Sequence, residues 1–312
     1  MQKIRTISFQ IEAVPPFRLD YTVWCLRRRP ENRMDVWEGN HYRKIVVLKG
    51  IPHLITAEQK GLEEPALNIT VRSRQMAEDA EDAIRRLYTN LLGLEMDLSG
   101  FYRVAEQNST VNRIVQRFLG LKPPRFLSLF ESIANGIACQ QISLSACIQI
   151  LSRVTEALGM KDERLSELHA FPRPADFHGQ IPESLKVIGF SHQKSTTIIN
   201  LARSIHEGTL DLGITTSMAD DEAEGYLRRI KGVGPWTARY VLLRGMGRLH
   251  VFPSGDVGAH NALMKLFSVG SDSPDVSRIN RILASLHPYG GLLYFHLLVE
   301  NLAQKGFLNA SP

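Results

Sequence analysis

The chain has 312 residues, 44% of them apolar and 22% charged. This is ordinary globular composition, which excludes a fibrous, low-complexity or disordered protein, and the length suits two domains. Lys and Arg number 37 against 32 Asp and Glu, a net charge of +5, and such a balance suits a polyanionic partner without requiring one.

The N-terminus, MQKIRTISFQIEA, has neither an apolar core nor a small-residue cleavage site, so no signal peptide is expected. Arg5–Ile11, Tyr42–Leu48 and Ala66–Val71 read as strands, bounded by Gly50, Pro52 and Pro65. A helical stretch follows from Ser73 and Met76, with Ala80, Ile84, Leu87 and Leu91 on one face. Residues 1–104 therefore read as an α+β domain.

From 105 to 312 the pattern is almost wholly helical, so the fold class is mainly α with an α+β N-terminal domain. Phe130, Ile133 and Ile137 mark one helix. Leu144, Cys147, Ile148, Leu151 and Val154 mark the next, and Ile198, Leu201 and Ile205 another. Pro288 stops a later helix, and Leu292–Leu302 closes the chain as a mostly buried one. The longest near-apolar run, Gly290–Val299, is far short of the roughly 20 residues of a membrane span. Three cysteines (Cys25, Cys139, Cys147) without a C-x-x-C argue against a disulfide framework, a zinc site or an iron–sulfur cluster, and suit a reduced cytoplasm.

Leu227–Phe267 carries the chemistry. Leu227 and Ile230 end one amphipathic helix, Lys231–Gly234 form a tight turn, and Pro235 sits where a first helical residue belongs. The result is a helix, a Gly-x-Gly hairpin and a helix, at about 220–245. Glycines let backbone N–H groups approach a ligand, and the helix N-terminus adds its dipole, so the turn suits a phosphate. Taken alone it is equally a glycine-capped αα-hairpin. Six cations, Arg228 to Arg248, occur without an acidic residue between Tyr226 and Gly255. Asp256 then follows a Pro-Ser-Gly turn, twenty residues after Trp236. In isolation, Asp256 reads as an N-cap and Trp236 as a core aromatic.

Taken together, the hairpin, the proline-containing turn and the late aspartate resemble the helix-hairpin-helix Gly/Pro/Asp superfamily of DNA glycosylases, closest to the AlkA-type 3-methyladenine branch. GIACQQISLSAC, FPRPADF and IGFSHQKSTTIINLA fall in the family's order, and the resemblance spans nearly the whole chain. It implies a helix-hairpin-helix glycosylase fold and a monofunctional enzyme that flips and excises alkylated bases of the 3-methyladenine type from duplex DNA, extending to 7-methylguanine and hypoxanthine. Glycosylase action on oxidised purines and a non-catalytic DNA-binding module are the other readings.

Residue by residue, the resemblance assigns Asp256 as the catalytic carboxylate, beside the positive charge that builds on the sugar. Trp236 stands where strand-cleaving members carry a lysine. Trp236, Tyr240 and Tyr289 match aromatic positions of the base pocket, suited to electron-poor or cationic bases. Gly232, Val233, Gly234 and Thr237 would grip the DNA backbone. Gln140, Gln141 and Ser143 would face DNA, with Gln141 filling the gap left by the flipped nucleotide or else simply starting a helix. Lys194, Val257 and His260 receive no role. The resemblance implies no organic cofactor and no metal cluster, although family members can hold a monovalent cation on hairpin carbonyls. A monomer, cytoplasmic and nucleoid-associated, is expected.

Overall fold

The computed structural model describes residues 3–61, 65–267 and 276–309. Its N-terminal part is a five-stranded antiparallel sheet in the order β1-β5-β4-β3-β2. The strands are β1 (Arg5–Glu12), β2 (Val36–Glu38), β3 (His41–Leu48), β4 (Ile51–Gln59) and β5 (Ala66–Ser73). Lys49 and Gly50 both adopt positive φ between the paired Leu48 and Ile51. A two-residue hairpin needs that geometry to match strand twist.

β4 is absent from the sequence reading because Pro52 looked like a boundary. The pairing with β5 begins only at Leu54, so the missing N–H of Pro52 breaks no bond on that side.

Helix α1 (Leu19–Arg27) was equally invisible. Eight of its nine residues are buried, and a helix buried all round has no amphipathic period. It ends at Arg28, which adopts a left-handed φ of 58° without being glycine. Helix α2 (Ala80–Leu92) covers the sheet through Ile84, Tyr88 and Leu91 and starts several residues later than Met76. Helix α3 (Ser99–Ala105) crosses the expected division after residue 104. Its Phe101 and Ala105 enter a core that also holds Tyr21, Trp24, Leu243, Leu263, Leu292 and Leu302.

The helices that build the site are α5 (Leu129–Cys139), α6 (Leu144–Leu158), α8 (His192–His206), α9 (Asp220–Arg228), α10 (Pro235–Arg244), α11 (Val257–Phe267) and α13 (Gly290–Gln304), with α4 (Ser109–Arg117), α7 (Pro182–Ile188) and α12 (Val276–Ser285) between them. α5, α6, α8 and α10 share one apolar core, while α13 belongs to the other. The sheet is tied to α5 by buried charge. Lys44 Nζ lies 2.8 Å from Asp35 and 3.7 Å from Glu131. Burial opposes the charge on Asp35, yet Lys44 and the Tyr42 hydroxyl hold its carboxyl below the usual range. Burial raises that of Glu131. Among the described residues no single helix is long and apolar enough to cross a membrane.

Candidate active site

A cavity of about 880 Å³ opens where the start of α10, the turn before α11, α13 and the α5–α6 loop converge. The turn depends on Gly255, whose φ of 96° belongs to the left-handed region. The Asp256 amide donates to the Pro253 carbonyl at 3.1 Å, which directs the side chain inward.

The two carboxylate oxygens of Asp256 then divide their work. Oδ1 accepts the amide of Ala259 at 2.9 Å and caps α11. Oδ2 faces the cavity, accepting from the Trp236 indole Nε1 at 3.3 Å and the Tyr294 hydroxyl at 3.4 Å. The N-cap and the cavity-facing carboxylate are therefore one residue in both roles. Burial, with the Asp256 charge beside it, pushes the Tyr294 phenol far above its ordinary range, so Tyr294 stays a donor.

Trp236 and Tyr240 line the cavity with ring centroids 5.5 Å apart. They sit one helical turn apart on the same face of α10. Tyr289 does not join them. Its ring packs against Phe101, and its hydroxyl occupies the space a side chain at Gly100 would need. The residue before α13 points into the core, and Tyr294, the fifth residue of that helix, supplies the cavity aromatic instead.

The hairpin adopts the anticipated form. Gly232 has a φ of 87°, and a Cβ there would lie 2.9 Å from Thr197 Oγ1. Gly234 precedes Pro235 with no side-chain cap on α10. The amides of Gly232 and Gly234 have no acceptor among the described residues, whereas that of Val233 is spent on the Ile230 carbonyl at 3.0 Å. The Val233 side chain is buried in the core.

Thr237 is a correction: it is 1% exposed. Its methyl lies 2.8 Å from where a Cβ on Gly136 would sit, so it packs α10 closely on α5 rather than meeting a ligand. Gln140 is another. Its Nε2 donates to the Gly232 carbonyl and to Thr237 Oγ1, both at 2.9 Å, which latches the α5–α6 loop to the hairpin. Lys194 completes the latch by donating to the Ala138 and Gln140 carbonyls. Gln141 stands free at the loop tip, exposed and at a left-handed φ of 56°. Ser143 is exposed and caps α6 through the Ala146 amide.

The loop is also closed covalently. Cys139 and Cys147 form a disulfide, and Cys25 is the free, buried thiol. This overturns the expectation of unpaired cysteines. The spacing of eight residues becomes a bridge only because the loop folds the first turn of α6 back on the end of α5, with Cα atoms 5.0 Å apart. Among the described residues no group of three or more His, Cys, Asp or Glu could hold a metal ion.

The model of the helix-hairpin-helix Gly/Pro/Asp superfamily of base excision DNA repair proteins matches residues 134–288, which takes in the loop, the hairpin and Asp256. The chain belongs to this superfamily. It is 27% identical over 243 residues to a DNA-3-methyladenine glycosylase of Bacillus subtilis, covering 78% of this chain and 80% of that one. Among solved structures, a 3-methyladenine DNA-glycosylase from Archaeoglobus fulgidus superposes with a TM-score of 0.80 at 23% identity, covering 94% and 98% of the two chains. An 8-oxoguanine glycosylase/lyase of Clostridium acetobutylicum, solved with double-stranded DNA, gives 0.74 at 18%, covering 98% and 100%. At these identities the last two show a shared fold.

Within this superfamily frame, two cavity residues escaped the sequence reading. Tyr294 lay in an apolar run that looked like pure core. Arg28 comes from α1, and no sequence signal links it to Tyr240, 212 residues away, whose hydroxyl it reaches at 3.3 Å.

Proposed function

We propose that the chain is a monofunctional DNA glycosylase that flips a damaged base out of duplex DNA and hydrolyses its N-glycosidic bond, with alkylated bases of the 3-methyladenine type as substrates and 7-methylguanine and hypoxanthine within reach. The observation that carries this is Asp256 Oδ2, held by Trp236 and Tyr294 and facing a cavity that these two residues wall together with Tyr240. Cleavage of the C1′–N bond leaves positive charge on the deoxyribose. A carboxylate held beside that carbon stabilises the charge and orients the water that adds to C1′; the base leaves with the bonding electrons, a cationic N-alkylated purine departing as the neutral base while the water's proton passes to solvent, and hypoxanthine taking up a proton instead. Trp236 and Tyr294 restrain the carboxylate during this step.

No lysine stands at the Trp236 position, and an indole cannot form a Schiff base with the sugar. The product is therefore an intact abasic site. The unengaged amides of Gly232 and Gly234, at the uncapped start of α10, bind a backbone phosphate. Gln141, at the loop tip, fills the space the base vacates. The reading calls for no organic cofactor and takes the working form as a monomer on nucleoid DNA in the cytoplasm.

The test uses duplexes carrying a single 3-methyladenine, 7-methylguanine, hypoxanthine or 8-oxoguanine, scored for strand scission with and without alkali. Scission that requires alkali on the alkylated or deaminated bases is expected. Scission without alkali overturns the monofunctional assignment, and release confined to 8-oxoguanine overturns the substrate class.

A further inference from the structure

The run of six cations between Arg228 and Arg248 is largely spent inside the fold. Arg244 is fully buried and donates to the Cys25 carbonyl at 2.6 Å, and Arg248 pairs with Asp220. Arg239 is spent on the turn that carries Asp256. From the middle of α10 its Nε donates to Glu224 Oε2 on α9 at 3.1 Å, and its Nη1 donates to the Ser254 hydroxyl. Arg228, one helical turn after Glu224, lies 3.9 Å from the other oxygen of that carboxylate.

One side chain thereby joins three segments: α9, which enters the hairpin, α10, which leaves it, and the turn before α11. Ser254, Gly255 and Asp256 meet α10 in succession. Arg239 holds the first, a Cβ on the second would lie 3.7 Å from that of Trp236, and Oδ2 of the third accepts from the Trp236 indole. Behind them the Phe252 ring packs edge-on against Tyr294 at 6.1 Å. Ser254 itself is exposed, and its hydroxyl has no other partner among the described residues. Gly255, with its positive φ, is the residue with most conformational freedom to lose. A restraint on its exposed neighbour therefore limits how the turn can swing.

Aim matters for the chemistry, because a displacement of about 1 Å at a reacting centre can cost roughly 10²-fold in rate. We propose that Arg239 is a positioning residue: by clamping Ser254 to the two hairpin helices, it fixes the direction of the Asp256 carboxylate two residues further on. It acts through the turn and not on the base or the sugar. The inference rests on the glycosylase reading above and adds to it a mechanical link, since the side chain that braces the hairpin also aims the carboxylate.

The experiment measures single-turnover base release at saturating protein, together with duplex affinity, on the duplexes named above. Arg239→Ala and Ser254→Ala are each expected to slow release by about tenfold while duplex affinity stays within about twofold. The double variant is expected to be no slower than Arg239→Ala, because both changes open the same clamp. Ser254→Thr, which keeps the hydroxyl, is expected to recover most of the loss seen with alanine. A thermal melt confirms that each variant is folded, and Ser254→Ala, at an exposed position, decides the matter if Arg239→Ala is not. Wild-type release rates in the folded alanine variants overturn this proposal alone, as do losses that multiply in the double variant. Weaker duplex affinity in Arg239→Ala, with Ser254→Ala unaffected, overturns it by placing Arg239 on a DNA phosphate. Failure of the wild-type protein to release any base overturns it together with the glycosylase reading.

Discussion

Helices α10 and α11 begin on the same cavity, and their first turns solve one problem in opposite ways. Every helix start leaves amides without partners. At α11 the Asp256 side chain satisfies one of them with Oδ1 and leaves Oδ2 over for the cavity. At α10 the capping position is Gly234, which has no side chain to give, and the glycine amides of the hairpin stay open. A capped start can thus carry a reactive group, because the cap fixes its direction. An uncapped start is a site for an external anion, because its donors are still to be satisfied.

This contrast is most sharply tested at Asp256. Asparagine there keeps the cap but loses the charge. Asp256→Asn is expected to retain duplex affinity and thermal stability while base release falls by roughly 10²–10³-fold, the usual effect of removing one electrostatic stabiliser. Wild-type release by the Asn protein would remove the carboxylate from the chemistry.

At the other helix start, Gly232→Ala forces a side chain into a left-handed backbone and against Thr197. It is expected to cost about 1–3 kcal/mol in denaturant unfolding and to disturb DNA binding with it. Gly234→Asp is the informative partner. The position has a φ of −90° and open space around its Cβ, so the fold accepts it and α10 gains a cap worth a few tenths of a kcal/mol. The same carboxylate takes the Trp236 or Thr237 amide at the start of α10 and repels a phosphate from the neighbouring Gly232 and Gly234 amides. Duplex affinity should fall by about tenfold while stability holds or rises. Undiminished affinity would mean that the hairpin amides hold no phosphate. The smallest effect separates the two roles of Asp256: Asp256→Ala should lose about 1 kcal/mol of stability that Asp256→Asn keeps, because alanine cannot cap.

Legibility followed the range of the interactions. The hairpin could be read because Gly232, Gly234 and Pro235 meet their requirements within a few residues. Asp256 could be read as an N-cap for the same reason, and as more than that only through its interval from Trp236 and its resemblance to the family. Tyr240 could be placed because helical spacing puts it beside Trp236. Tyr289 and Thr237 misled because family position and chain proximity do not say which way a side chain points. Gly100 and Phe101 claim the first, and Gly136 the second. Gln140 reads as a DNA-facing polar residue, and the hairpin carbonyl it also holds is visible only in the folded chain.

The amino-acid sequence by itself determined the elements whose signals are local: the alternating strands β1 and β5, β3 with its run of β-formers, the Gly-x-Gly turn with its proline, and the cap at Asp256. Tertiary structure alone decided what surrounds that carboxylate. Arg28 arrives from a helix buried on nearly every side, Tyr294 from an apolar run, and the Cys139–Cys147 bridge from a folded loop. The reason is physical: local conformation depends on neighbours in the chain, whereas a side chain's charge, partners and accessibility depend on residues that only folding brings beside it.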